Sequence, residues 1–194
     1  MLKSIITEPS VEPVTLEEAK SYLVVEHSED DLLIYNLIVA ARKHFETRCD
    51  RVLVRQKWRL YLDDGFSDFE LRPYKVREVE QIQYTDINGT TQTVDSSIYT
   101  VDIPRQMVYR AYNQVWPSTR TVKNAVWADV WAGEYDASAS PIDVTLGIPQ
   151  DIKNVLYYLI EDLYSHRGRN SEMQLYKNET FDALIQPHIR YENG

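Results

Sequence analysis

The chain is poor in the residues that staple folds or carry out chemistry. It has one cysteine, Cys49, in 194 residues. A lone thiol excludes an internal disulfide, and no CxxC or Cys/His ligand spacing is present. Cys49 lies four residues after Phe45 at the end of an apolar stripe, so a buried structural thiol is expected. The six glycines are scattered, which leaves no G-x-G-x-x-G and no loop to cradle phosphate. The histidines, His27, His44, His166 and His188, show no i,i+4 pair, so there is no helical zinc motif. Ser165 and His166 are merely adjacent, and no G-x-S-x-G elbow exists. No apolar run approaches the ~20 residues of a membrane span, and no charged-then-apolar leader opens the chain. Basic residues are outnumbered, 21 against 30, for a net charge of −9. That argues against broad binding to nucleic-acid phosphates, which needs basic patches. It does not argue against a pore through which DNA passes without sticking. Together the absences point away from an enzyme and imply no cofactor and no metal.

What is present is an ordinary globular composition, with 43% hydrophobic and 26% charged residues. A chain of this length buries roughly 70% of its unfolded surface, so its core needs no staples. Tyrosine is abundant at 14, with 4 tryptophans, residue types enriched both at protein interfaces and in strands.

The densest cluster of polar chemistry is Glu26-His27-Ser28-Glu29-Asp30-Asp31. Carboxylates with an imidazole suit a hard or borderline cation, and Glu26, His27, Glu29 and Asp30 would be the ligands of a carboxylate-dependent metal enzyme. The following residues favour a plainer reading. Leu33, Leu37, Ala41 and Phe45 recur every four residues, and Ile34 and Ile38 widen the stripe, which predicts an amphipathic helix from about 29 to 49. Ser28 then stands as N-cap with Asp31 three residues on, and the acids fill the first turn where the helix dipole favours them. Arg42 and Lys43 lie toward the opposite end. Asp63-Asp64 before Gly65 reads as a turn with solvated charges, and Arg167-Gly168-Arg169 as a capped helix end.

Around that helix the pattern divides into three parts. Residues 1–51 comprise an extended arm over 1–13 with Pro9 and Pro13, a short helix opened by the capping box Thr15-x-x-Glu18, and the long helix. Residues 52–133 are rich in strand signals. Trp58, Leu60 and Leu62 alternate on one face, Phe69–Leu71 and Val76–Tyr84 continue as strands, and Asp86-Ile87-Asn88-Gly89 is a hairpin turn. Thr91–Val94, Ser97–Val101 and Met107–Tyr112 follow, and Val122–Trp131 is expected to turn Val122, Ala125 or Val126, and Trp127 inward. Residues 134–194 hold a loop to 149 and an amphipathic helix after Pro149 through Ile152, Val155, Leu156, Leu159, Ile160 and Leu163. His166, Arg167 and Gly168 cap it, and a last helix at about 178–186 is stopped by Pro187. The expected class is α+β. Two long helices and short N- and C-terminal helices form a small helical bundle, with an antiparallel β-rich block inserted.

The order and spacing of several segments resemble the phage head–tail connector (adaptor, head-completion) proteins. The segments are Pro13-Val14-Thr15-Leu16-Glu17-Glu18-Ala19-Lys20, the acids before Leu32-Leu33, Gln56-Lys57-Trp58-Arg59-Leu60, Leu71-Arg72-Pro73, Ile82-Gln83-Tyr84 before the Asp86–Gly89 turn, Ala132-Gly133-Glu134-Tyr135, and Ile148-Pro149 leading to Leu156–Tyr164 and His166-Arg167. The likeness covers most of residues 13–190. Trp131-Ala132-Gly133-Glu134-Tyr135 departs from the compact Thr-Ala-Gly-Tyr usual in the family. The resemblance implies a structural protein of a particle's neck, made in the host cytoplasm. It implies a homo-oligomeric ring, commonly of twelve copies, beneath the portal protein. The ring extends the DNA channel without sequence-specific binding and offers a platform to a tail or stopper protein. By the same analogy, portal contact falls to residues 178–194, including Phe181, Ile185, His188, Ile189, Arg190 and Tyr191. The tail-facing tip falls to Asp86, Asn88 and Gly89. Another neck or tail role, terminator or stopper, is the neighbouring alternative.

Overall fold

The computed structural model describes residues 2–63, 65–73, 75–136, 147–165 and 179–189. They form a mixed α/β chain with antiparallel sheets. It divides into two compact units, one of Met1–Ser10 with Arg55–Glu134, the other of Val11–Val54 with Tyr135–Gly194.

The first unit is built of β-strands with one 3₁₀ turn at Ser96–Ile98. Its larger sheet has five strands, β1 (Leu2–Thr7), β2 (Gln56–Leu62), β4 (Val76–Thr85), β5 (Thr91–Thr93) and β8 (Val126–Ala132), in the order β1-β2-β8-β4-β5. The smaller sheet is β3 (Phe69–Glu70), β7 (Met107–Arg110) and β6 (Tyr99–Asp102). Within residues 1–13, expected as an extended arm, Leu2–Thr7 supply an edge strand, because the free edge of β2 offers unpaired backbone groups that β1 satisfies. Alternation in β2 places Leu60 and Leu62 on the buried face with Ile82, Val126, Ala128, Val130 and Ala132. Gln106, in a left-handed conformation (φ 55°), joins the smaller sheet to β4. Its side chain accepts from the Val76 N–H at 2.7 Å and donates to the Val76 carbonyl at 2.8 Å.

One strand was expected partly the other way round: Ala125 and Val126 are buried as expected, whereas Val122 and Trp127 are not. Trp127 and Trp131 lie opposite the buried alanines and valines of β8, and Val122 is exposed outside the strand. A period-2 pattern does not say which set faces the core, and a one-residue shift exchanges them. Small side chains went inward on this central strand, while cations cover the indoles on the other face. The Arg55 guanidinium lies 4.6 Å from the Trp131 ring centroid and that of Arg59 lies 5.5 Å from that of Trp127. Between them Asp129 is buried, bound by Arg59 through Nε at 2.7 Å and Nη2 at 2.9 Å, and by Gln81 Nε2 at 3.1 Å. Burial raises the Asp129 carboxyl, but its hydrogen bonds with Arg59 and Gln81 outweigh that and hold it below the usual carboxylate range.

This gives a pH signature. A carboxyl whose folded pKa is depressed contributes stability above its unfolded pKa, about 3.9, and the contribution is lost as pH falls through the folded pKa. Asp129→Asn is expected to cost ~1.5–3 kcal/mol at pH 7. The gap to wild type should narrow as pH falls below the unfolded pKa and through the lower folded one, where Asp129 takes up its proton. Urea unfolding at pH 7 and pH 2.5 checks it; a gap unchanged by acid would show that charge is not what Asp129 supplies.

The second unit is helical: α1 (Leu16–Leu23), α2 (Asp31–Cys49), α3 (Gln150–Ser165) and α4 (Glu179–Ile185), the last followed by a 3₁₀ turn over Gln186–His188 that contains Pro187. The capping box forms as read: the Glu18 N–H donates to Thr15 Oγ1 at 3.1 Å, and the Thr15 N–H donates to Glu18 Oε2 at 2.9 Å. Helix α2 starts later than expected. Its N-cap position is Asp30, without a side-chain cap, and Ser28 sits in the preceding turn, its carbonyl accepting from the Asp31 N–H. Its buried stripe is Ile34, Ile38, Ala41, Arg42, Phe45, Glu46 and Cys49. Leu33 and Leu37 fall on its margin. The core joins this stripe to Ile152, Val155, Leu156, Leu159 and Ile160 of α3 and to Phe181 and Ile185 of α4. Cys49 is buried in it.

Arg42 is the unforeseen member of that stripe. It was read only as a cation lying toward the helix end that the dipole favours, and its side chain is 1% exposed. Nε and Nη2 grip the Glu12 carboxylate at 2.7 and 3.2 Å, and Nη1 reaches Glu46 Oε2 at 2.9 Å. The other oxygen of Glu46 accepts from the Leu53 N–H at 2.8 Å. One guanidinium therefore fastens the segment before α1, the helix itself and the chain leaving it.

Candidate partner-binding surfaces

The acidic stretch before α2 is divided among tertiary partners. Asp31 pairs with Lys20 at 2.5 Å, Asp30 accepts from the Tyr164 hydroxyl at 2.5 Å, and His27 meets Glu29 at 2.9 Å on the surface. Among the described residues no group of three or more His, Cys, Asp or Glu side chains converges as a metal site would require.

The hairpin tip is rigidly made. Asp86 Oδ1 accepts from the N–H groups of Asn88 and Thr90, each at 2.9 Å, and Oδ2 accepts from Gln92 Nε2 at 3.2 Å. Hydrogen bonds from Thr90, ahead of the smaller effect of partial desolvation, hold the Asp86 carboxyl below its ordinary range. Gly89 has φ 88°, which a side chain rarely adopts, and a Cβ there would stand 2.8 Å from Arg120 Nη1. Ile87 projects from the tip, and Asp86 pairs with Thr119 of the segment between β7 and β8.

The C-terminal segment is sorted by burial. Phe181 and Ile185 lie in the helical core, with the Phe181 ring 5.3 Å from that of His44. His188 is half-buried, its ring 5.8 Å from Phe45 and its Nε2 3.7 Å from Asp151. Ile189 packs at the core's edge. Arg190 and Tyr191 lie outside the described residues, as do the His166–Gly168 cap and most of the loop over 134–149.

Sequence reasoning passed over a third surface. The segment after β7 exposes Tyr112 at 99% and Val115 at 76%, while Trp116 stacks on Phe66 at 4.8 Å. The signal was available in the sequence, since residues 103–128 hold Arg105, Arg110, Arg120 and Lys123 and no acid.

Residues 13–108 match the model of the family described as phage gp6-like head-tail connector protein. That is the class of protein that the order of segments in the sequence resembles. No curated protein matches the chain. Among solved structures it is similar to a chain of the virion of a native gene transfer agent particle, with 20% identity, a TM-score of 0.72, and coverage of 100% of this chain and 99% of that one. A chain from the neck of the native particle, computed with C12 symmetry, matches with a TM-score of 0.70 at 20% identity and the same coverage. At that identity the likeness establishes a shared fold over the full length.

Proposed function

We propose that this chain is a structural, non-enzymatic adaptor of a phage or phage-like particle. Copies close into a ring in the neck, beneath the portal, that continues the DNA channel and gives the tail or stopper protein a platform. The observation that carries this is the head–tail connector match over residues 13–108, with the fold of a gene transfer agent particle chain extending over the rest. The C12 symmetry of one matching neck supports twelve copies. A net charge of −9 suits a channel wall, since repelled phosphates slide where attracted ones would stick.

Within this reading, Phe181 and Ile185 anchor the C-terminal segment in the helical core. His188, Ile189, Arg190 and Tyr191 meet the portal. Asp86, Asn88 and Gly89 set the shape of the tail-facing tip. Mass photometry of the full chain with portal assemblies of the same particle tests it. Stoichiometric binding is expected, and it should be lost on removing residues 190–194 together with His188→Ala. Removing 178–194 is the poorer test, because it also takes two core residues. A chain that ignores the portal would move the role to a terminator or stopper elsewhere in the neck or tail.

A further inference from the structure

The segment from Ala111 to Asn124 combines features seldom found in a solvated loop. It is pinned by backbone bonds: the Ala111 N–H donates to the Ile98 carbonyl at 2.9 Å, and the Arg120 N–H donates to the Thr85 carbonyl at 2.9 Å. Trp116 lies flat on Phe66, which in turn meets Tyr84 at 5.5 Å. Yet Tyr112, Val115 and Val122 point outward, with Ile87 exposed on the neighbouring tip. A loop fixed this firmly with apolar tips in water loses little entropy when those tips are covered, which favours docking. Arg110, Arg120 and Lys123 stand exposed among them. Residues 103–128 carry +4, so the rest of the chain carries −9 − 4 = −13.

The complement of a basic, apolar surface is an acidic, apolar one, and this chain presents one. The corner between α1 and α2 exposes Val24 at 83% and Leu32 at 74%, with Tyr35 half-exposed on the next turn. Glu26 and Glu29 flank them, both exposed. A closed ring needs two different, mutually complementary patches on every copy, since each subunit meets its neighbours head to tail. We infer that the basic loop over 110–123 of one copy docks on the α1–α2 corner of the next. The inference rests on the ring proposed above. The exposed side chains of Val115 and Val122 gain nothing from phosphate, which favours a protein occupant over DNA.

The test is sedimentation velocity of the full chain in about 50 mM salt, where surface charges are weakly screened. Concentration-dependent self-association is expected, weakening at about 500 mM. Arg110→Glu with Arg120→Glu should weaken it by about tenfold or more, as should Glu26→Lys with Glu29→Lys, and the four changes together should restore it. Tyr112→Ala should weaken it with no change in charge. All five positions are exposed, so folding should hold, and circular dichroism checks that. A chain monomeric at every concentration, or a charge swap that restores nothing, overturns the inference. So does a loop whose charge reversal abolishes retention of a duplex DNA probe and leaves self-association untouched. Portal binding is read separately. A portal-bound ring indifferent to the loop variants overturns this contact and leaves the adaptor role standing. Loop-dependent self-association without portal binding does the reverse.

Discussion

Replacing Arg42 by alanine is expected to cost the chain ~3–5 kcal/mol, the usual penalty for breaking a buried ion pair by removing one partner. The carboxylates of Glu12 and Glu46 would be left with side chains only 9% exposed and no cation between them. The attraction of Glu12 and Glu46 keeps the Arg42 guanidinium charged against the opposing effect of its burial. For a chain of this size the loss corresponds to a fall in Tm of roughly 6–20 °C. Arg42→Lys should fall between, since an ammonium is a point charge and cannot grip Glu12 with two donors in one plane. Thermal unfolding followed by circular dichroism measures both. A loss under about 1 kcal/mol for alanine would mean that water reaches the glutamates and that the triad is not sealed.

Phe45→Ala carries an expected loss of similar size, ~3–5 kcal/mol, for a different reason. Phe45 is fully buried between α2, α3 and α4, so truncation removes apolar contact and leaves a cavity that packed helices fill poorly. It should also reach further along the chain. The Phe45 ring lies 5.8 Å from that of His188, so the support under the C-terminal segment goes with it. Limited proteolysis should cut the variant near residues 179–189 well before it cuts the rest, and portal binding should weaken beyond what global stability explains. Leu184→Ala, on the half-exposed side of α4, is the control and should do neither. Equal protease resistance in Phe45→Ala and wild type would separate the core from the segment.

Both predictions turn on α2, where local pattern and tertiary choice part company. The helix was legible, because Leu33, Ile34, Leu37, Ile38, Ala41 and Phe45 repeat at helical spacing and the turn before it is acidic. The rotation of its buried face was not. The stripe is centred on Ile34 and Ile38 and takes in Arg42 and Glu46, since Glu12, thirty residues before Arg42, supplies the charge that makes burying a guanidinium tolerable. No periodicity contains that partner.

The same division holds for the candidate surfaces. The Asp86–Gly89 turn could be read locally, because an Asn-Gly pair and an aspartate that accepts from its own turn are encoded within five residues. The order of segments that carries the family resemblance is likewise a property of the string. Which side of β8 faces inward, the pairing of Leu2–Thr7 with β2, and the burial of Phe181 and Ile185 depended on partners far away in sequence. By itself, then, the sequence determined the helices, the capping box of α1 and the hairpin tip, which rest on short-range chemistry, and the class of protein, which rests on the order of segments along the string. Only the tertiary structure decided which faces are covered and which stay open to a partner, because burial is set by whatever packs against a face, and a one-residue change of phase exchanges inside for outside.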